Sequence, residues 1–570
     1  MKKQYGYPLY EGPKAYPDFN AMLRGCAAEF SSRTALSWRE KPNDGAAKRI
    51  TFSELYGEVA DLATELLARG YRGKRAALIA PLSHDWVLLY YALLSIGAIL
   101  VPLDKDWTEA DLADTVGKAE CSYLFCDPTA AAKAAAVQAA CDLSPTVWLG
   151  EGCDGSETVS LLRAEGAARR AAGDDAFDRV ELDPKAMSLL VFTSGTTGQG
   201  KGVMLTQQGI LTNIIEGMKM VKPPVGKTLG VLPPHHTYGS TVGIMAHYML
   251  GNELYLSAGI KYVPRELKQE SPDYLILVPL YVETFYRRIL TAVKEQGKEK
   301  KLRFGMALSR VLRKVGIDLR KKLFGEVLAA FGGRVSMVIC GGAPLNREVA
   351  DTFDAFGVTV LNGYGITECS PLIAVNRNKA NNPASVGFPI PTVDVKIDAP
   401  NDDGEGEILV RGPIVMLGYL NNEEATREAI GEDGYFRTGD YGKLSPDGRL
   451  FITGRKKNLI ILSNGKNVYP EEIEAEFTAV PGLTDIVVYE GQSRRGPEHN
   501  AIVAEIYPDR DWLEANGVTD AEAYFHGFVE NYNRTAVPYK KIGKLRVRGE
   551  EFPKNTLRKI MRFKLDQTIE

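Results

Sequence analysis

Short apolar runs recur along this chain, each followed by a stretch with helical spacing: AALIA at 76–80, SYLFC at 122–126, SLLVF at 188–192, DYLILV at 273–278 and VSMVIC at 335–340. Segments this short that are apolar throughout suit strands buried on both faces, which means parallel sheets covered by helices. After Pro391 the texture changes. VDVKID, GEILVRG, GRLFITG and DIVVYE alternate more strictly and are separated by Gly, Asp and Asn turns, as antiparallel strands or a barrel-like unit would be. The expected class is α/β. With 570 residues, more than one folded unit is expected. The Gly454-Arg455-Lys456-Lys457 break precedes a last segment of mixed αβ pattern, so the boundary is placed between 1–454 and 455–570.

At 45% apolar and 25% charged residues the chain has globular composition, which excludes a disordered or collagen-like protein. A net charge of -3 gives no global attraction to nucleic acid, and no nucleic-acid partner is expected. The seven cysteines are scattered without a C-x-x-C pair, which argues against a zinc or redox site and fits a reducing compartment. The opening MKKQYGYPLYEGPK has two lysines but no apolar stretch behind them, so no secretory signal is expected. Residues 86–103, WVLLYYALLSIGAILVPL, are uncharged and approach membrane-spanning length. Gly97 and Pro102 interrupt them. The spacing predicts a helix ending at 95–97 and then a buried strand leading into Asp104.

The strongest chemical signal follows SLLVF: Thr193-Ser194-Gly195-Thr196-Thr197-Gly198-Gln199-Gly200-Lys201-Gly202. Glycines let backbone amides turn inward, hydroxyls add donors and Lys201 adds a point charge, which together can wrap a polyphosphate. Gly195 to Lys201 spells G-x-x-x-x-G-K, yet Gly202 stands where a P-loop needs Ser or Thr, and strand-like GVMLT replaces the P-loop helix. The segment therefore reads as a phosphate cradle of another architecture.

That loop resembles the phosphate-binding signature of the adenylate-forming acyl-CoA synthetase and luciferase superfamily, and further motifs arrive in that family's order. Cys340-Gly341-Gly342-Ala343-Pro344-Leu345 resembles the adenine-binding turn, and Asn362-Gly363-Tyr364-Gly365-Ile366-Thr367-Glu368 the motif of stacking tyrosine, phosphate-binding threonine and metal carboxylate. The resemblance implies that Tyr364 stacks on adenine, Thr367 binds the α-phosphate and Glu368 holds Mg²⁺ with Thr193. Tyr435-Phe436-Arg437-Thr438-Gly439-Asp440 resembles the ribose motif, which makes Asp440 the ribose ligand, with Ile452 and Arg455 against the nucleotide. Near the end, Phe552-Pro553-Lys554-Asn555-Thr556-Leu557-Arg558-Lys559 resembles the segment with the family's mobile catalytic lysine, here Lys559. Lys457 takes the hinge position, and Gly465 that of the glycine past which a phosphopantetheine arm slides. Two residues depart from the family pattern: Gly200 replaces a proline and Arg558 a glycine.

The implied fold is a large N-terminal domain of two helix-flanked sheets plus a distorted β-barrel, with a small mobile C-terminal α+β domain carrying the catalytic lysine. The implied chemistry is AMP-forming ligation of a small-molecule carboxylic acid, with ATP, Mg²⁺ and CoA as co-substrate. In Leu232-Pro233-Pro234-His235-His236-Thr237-Tyr238-Gly239, which resembles the carboxylate-pocket motif, His236 takes the gate position and His235 is expected behind it or at the surface. No aspartate lies between 232 and 246, which argues against an amino-acid substrate.

From 287 to 322, thirteen Lys or Arg stand against Glu295, Glu299 and Asp318, with apolar residues at helical spacing between them. This insertion resembles the extra helical segment of long-chain fatty acyl-CoA synthetases. It fits either peripheral contact with an anionic bilayer or a solvated helical pair over the sheet. The expectation is a cytoplasmic enzyme, peripheral at the inner membrane surface, for a medium- or long-chain fatty acid. An aryl-acid CoA ligase, transfer to a separate acyl carrier protein and a nucleotide-binding pseudoenzyme remain open at this point.

Overall fold

A computed structural model of the chain describes residues 5–43, 45–153, 155–193, 200–461, 467–478, 480–496, 499–554 and 560–570. Each apolar run that opened the sequence reading is a strand. A seven-stranded sheet runs in the order Gly418–Tyr419, Lys201–Thr206, Met187–Thr193, Ile99–Leu103, Arg75–Ile79, Tyr123–Cys126 and Val147–Trp148. Its last five members are parallel, and the first two pair antiparallel at one edge. A five-stranded sheet places Tyr274–Leu277, Met337–Cys340 and Thr359–Gly365 in parallel, then adds Leu372–Val375 and Phe388–Pro389 antiparallel. A four-stranded sheet of Lys48–Thr51, Thr34–Trp38, Glu253–Leu256 and Lys227–Gly230 lies beside it.

The uncharged stretch 86–103 divides as its punctuation predicted. Ser83 caps helix His84–Ser95, which ends at Ile96 and Gly97, and strand Ile99–Leu103 follows. Trp86 through Ser95 are all buried. At ~1.5–3 kcal/mol for each large apolar side chain removed from water, this helix is a main anchor of the core. Among the described residues no helix is long and apolar enough to cross a membrane.

The strands after Pro391 form an antiparallel sheet, Asp394–Asp398, Gly406–Arg411, Phe436–Leu444 and Leu450–Arg455, joined by a Gly387–Leu450 bridge to the edge of the five-stranded sheet. A last sheet orders Lys544–Val547, Ala501–Pro508, Leu483–Ser493 and Thr568–Ile569. The two apolar clusters around it draw only on residues from 460 onward, whereas the three N-terminal clusters have no member beyond Ile452.

At the opposite end of the chain, the buried Arg377 donates to the carbonyls of Tyr5, Tyr7, Pro8 and Met220, and its guanidinium lies 3.8 Å from the centre of the Tyr7 ring. One cation thereby straps the N-terminal segment to the end of helix Gln207–Met220.

Candidate active site

The glycine turn 341–343 and the Thr367–Glu368 turn follow strands Met337–Cys340 and Thr359–Gly365, the strand ends at which open α/β sheets usually bind ligands. Thr193 ends strand Met187–Thr193 and pairs with Lys201, the first residue of the antiparallel strand Lys201–Thr206. A strand rather than a helix leaves the phosphate loop, as GVMLT predicted. Ser194, Gly195, Thr196, Thr197 and Gly198 lie outside the described residues. A Cβ on Gly200 would stand 2.9 Å from the Thr193 carbonyl oxygen, so the residue replacing the family's proline occupies a close backbone approach.

Lys201 is exposed, with Nζ 4.7 Å from the centre of the Tyr419 ring. The Tyr419 hydroxyl donates to Glu368 Oε1 at 3.0 Å. Tyr419 is held there because Gly418 pairs with Met204 and Tyr419 with Val203, while the Met416 amide donates to the Glu368 carbonyl. Segment 416–420 thus ties the phosphate-loop strand to the metal-type carboxylate. Sequence reasoning missed Tyr419. Its signal was the Gly-Tyr pair at 418–419, and its meaning depended on a strand pairing across more than two hundred residues. Burial raises the Glu368 pKa above the usual carboxylate value, opposed by hydrogen bonds from its own backbone and from Tyr419. Among the described residues Glu368 has no ion-pair partner. A carboxylate with no ion-pair partner among the described residues, and a Thr193 hydroxyl held by the Lys201 carbonyl, are hard-oxygen groups of the kind that suits Mg²⁺.

On the other side, strand Thr359–Gly365 carries Asn362, Gly363, Tyr364 and Gly365, and Thr367 begins the short turn Thr367–Cys369. Glycine is required at 365, where a Cβ would meet the Pro371 carbonyl oxygen at 2.2 Å. The Tyr364 hydroxyl donates to Asp440 Oδ2 at 2.6 Å, and burial pushes its own pKa well up. Asp440 is almost fully buried, and its Oδ1 lies 3.0 Å from Arg455 Nε across paired strands. Gly341, Gly342 and Ala343 follow strand Met337–Cys340, and Asn362 is paired beside Cys340, which brings both motifs to the same strand ends. Ile452 packs at the rim of the main core, and Lys457 lies in the turn just beyond Arg455. Burial lowers the Lys457 pKa, and the nearby Arg455 lowers it further.

His236 opens the short helical approach to Tyr238–Met245, and its ring lies 4.5 Å from that of His235. His235 is half-buried and faces Asp104, with Nε2 3.5 Å from Oδ2; desolvation lowers its pKa, against the pull of Asp104. Asp104, the end point of the AILVPL strand, is a neighbour that sequence did not connect to this motif.

Gly465 and Lys559 also lie outside the described residues. The flanks of 555–559 are tethered: Lys554 pairs with Asp485 and Glu551, and Arg562 forks onto both oxygens of Glu474. Burial pushes the Glu474 carboxyl up to about 7, with Arg562 opposing.

Glycine turns, a lysine and two carboxylates held by tyrosine hydroxyls are the makings of a nucleotide-handling α/β enzyme. The chain belongs to the AMP-binding enzyme family, whose model matches residues 23–420. It is 28% identical over 542 residues to long-chain-fatty-acid–CoA ligase 5 of Rattus norvegicus, covering 89% of this chain and 77% of that one. It is 27% identical over 562 residues to the chloroplastic long-chain-fatty-acid–[acyl-carrier-protein] ligase AEE15 of Arabidopsis thaliana, covering 85% and 75%. Among solved structures, ATP-bound MatB from Rhodopseudomonas palustris superposes with a TM-score of 0.74 at 24% identity over 96% of this chain and 98% of that one, a likeness of fold.

Proposed function

We propose that this chain joins a medium- or long-chain fatty acid to CoA through an acyl-adenylate, releasing AMP and pyrophosphate. The observation that carries the reading is the pair of carboxylates, Glu368 and Asp440, each held by a tyrosine hydroxyl, with Lys201 over the ring of the tyrosine that serves Glu368. The long-chain relative supports the acid class.

Each residue has a separable task. Lys201 neutralises the departing phosphates and Thr367 donates to the α-phosphate. Glu368 and Thr193 hold Mg²⁺, which travels with ATP and supplies charge neutralisation at the phosphates. Tyr364 presents its ring to adenine, with Gly341, Gly342 and Ala343 leaving the backbone open beside it. Asp440 has one oxygen on Tyr364 and the other on Arg455, and a carboxylate, which can accept several hydrogen bonds, is the group to receive the ribose hydroxyls. The acid's carboxylate attacks the α-phosphorus, guided by His236, while Lys559 stabilises the developing charge; holding reactants in line lowers the barrier more than any single contact. In the second half-reaction the CoA thiol attacks the adenylate carbonyl and AMP leaves. The C-terminal unit, 455–570, rotates at Lys457 between the two steps and brings Gly465 to the pantetheine arm. The separate apolar clusters from 460 onward support a unit that moves as a body. The reading places the enzyme in the cytoplasm, peripheral at the inner membrane surface.

A second acceptor is favoured by one observation, the carrier-protein ligase among the relatives: acyl transfer to a separate acyl carrier protein shares every adenylation residue. The experiment is carboxylate-dependent ATP–pyrophosphate exchange with C2 to C18 and aryl acids, followed by product analysis with CoA and with a carrier protein. A peak among fatty acids, lost in Lys559→Ala, with acyl-CoA formed, is the expected result. Exchange confined to aryl acids, or AMP release with CoA untouched, overturns the substrate or the acceptor respectively.

A further inference from the structure

Helices Pro279–Glu295, Glu299–Lys314 and Arg320–Leu323 build a strongly cationic surface. Helix Glu299–Lys314 buries only Ser309. Leu302 and Met306 pack partly against the neighbouring core, but another set is displayed: Phe304 is 69% exposed, Val311 62% and Val315, just past its end, 69%. At 100° per residue these three fall within one narrow stripe. Lys300, Arg303, Arg310 and Lys314 flank the stripe on one side and Lys301 on the other. Among the described residues none of these five cations has an ion-pair partner. Beyond the helix, Ile317, Leu319 and Leu323 continue the exposed apolar surface beside Lys321 and Lys322.

The inner side is fastened down. Arg313 pairs with Asp354, Arg320 with Asp318 and Asp354, and Lys298 with Glu326, while Phe324 is buried. The stripe is therefore a face of an anchored element, not a helix awaiting its place in the core. A second copy of the same face would bring unpaired cations together, which disfavours self-association. A polyanion alone would satisfy the cations and leave the apolar stripe in water. A bilayer with acidic headgroups answers both halves at once, phosphates for the cations and the acyl boundary for Phe304, Val311 and Val315.

We propose that the outer face of helix Glu299–Lys314, continued through 317–323, docks this enzyme on an anionic lipid bilayer. The platform connects directly to the candidate site: helix Pro279–Glu295 begins after Val278, whose Cγ1 would lie 3.5 Å from a Cβ on Gly342. Docking on a surface that holds fatty acids would place the cleft near its proposed substrate, yet the docking itself does not depend on which acid is activated.

The test is flotation of the full chain with phosphatidylcholine vesicles, with and without about 30% phosphatidylglycerol, at ~0.1 M and ~0.5 M salt, where screening lengths differ about twofold. Binding to the acidic vesicles, weakened by salt and absent from neutral ones, is expected. Phe304→Ser with Val311→Ser and Val315→Ser is expected to lower the bound fraction at least about tenfold, because the apolar contact is lost. Its melting temperature should match the parent, since these side chains are exposed. Lys300→Glu with Arg303→Glu and Arg310→Glu is expected to abolish the preference for acidic lipid. Wild type that floats with neither vesicle, or both variants floating as well as wild type, overturns the proposal. So does concentration-dependent dimerisation that the Ser variant removes without any lipid binding, which would make the stripe a self-association face. A failed pyrophosphate-exchange assay would overturn the proposed function and leave this result standing.

Discussion

Glu368 and Asp440 each accept from a tyrosine hydroxyl, Tyr419 at 3.0 Å and Tyr364 at 2.6 Å, but their charge environments differ. Asp440 already has a guanidinium, Arg455, at 3.0 Å. Glu368 has no such partner among the described residues, and burial raises its pKa. The difference separates two jobs. A carboxylate neutralised in advance can accept from uncharged hydroxyls without strongly attracting cations, whereas one left charge-deficient is prepared for a cation that arrives with the substrate.

The sharpest way to break this comparison is Glu368→Gln, which keeps the shape and removes the charge. Pyrophosphate exchange at saturating magnesium should fall by ~10²–10³, the usual size of losing one preorganised electrostatic contact. Exchange close to the parent rate would reduce Glu368 to a structural residue. Asp440→Asn should act less on rate and more on binding, raising the KM for ATP ~10–100-fold through loss of a charged acceptor. Arg455 loses its counter-charge in that variant, so a thermal melt must accompany the kinetics.

The pH dependence should distinguish the two carboxylates. With its folded pKa raised, protonated Glu368 favours the folded state; that contribution is present at low pH and is lost as pH rises through the raised value. Magnesium requires the ionised form, so apparent Mg²⁺ affinity should climb as pH rises through that same region and level off above it. Tyr419→Phe removes a hydrogen bond that favours the ionised form, and should move the inflection to higher pH. A curve that superposes on that of the parent would sink the linkage. The smallest change is expected from Tyr364→Phe. Arg455 remains on Asp440, so the KM for ATP should rise by no more than about tenfold, the lower range for a hydrogen bond to a charged group.

The residues of this site were unequally legible in the sequence. Glu368, Tyr364 and Asp440 stand in contiguous motifs whose residue types announce their chemistry, and the parallel strand Met337–Cys340 beside Tyr364's strand was readable as a doubly buried run. Tyr419 was not, because its contact with Glu368 exists only once strand Gly418–Tyr419 has paired with Lys201–Thr206. The Tyr364–Asp440 bond joins two recognised motifs 76 positions apart, and no local pattern encodes that distance. The same holds for Asp104 and His235, where a strand end and a pocket turn meet only in the folded sheet. Helix Glu299–Lys314 shows the limit of periodicity: its amphipathic spacing was visible, but which side would face water was decided by where Arg313 and Arg320 found Asp354.

Arg377 has a consequence for the order of assembly. Its guanidinium serves carbonyls from the first residues of the described chain and from the end of helix Gln207–Met220, so its docking site is complete only when segments far apart in sequence have already come together. The N-terminal strap can close only after that body has formed. Resistance of residues 5–10 to proteolysis during refolding would therefore act as a clock for its completion, later than protection of the helix His84–Ser95 at its centre.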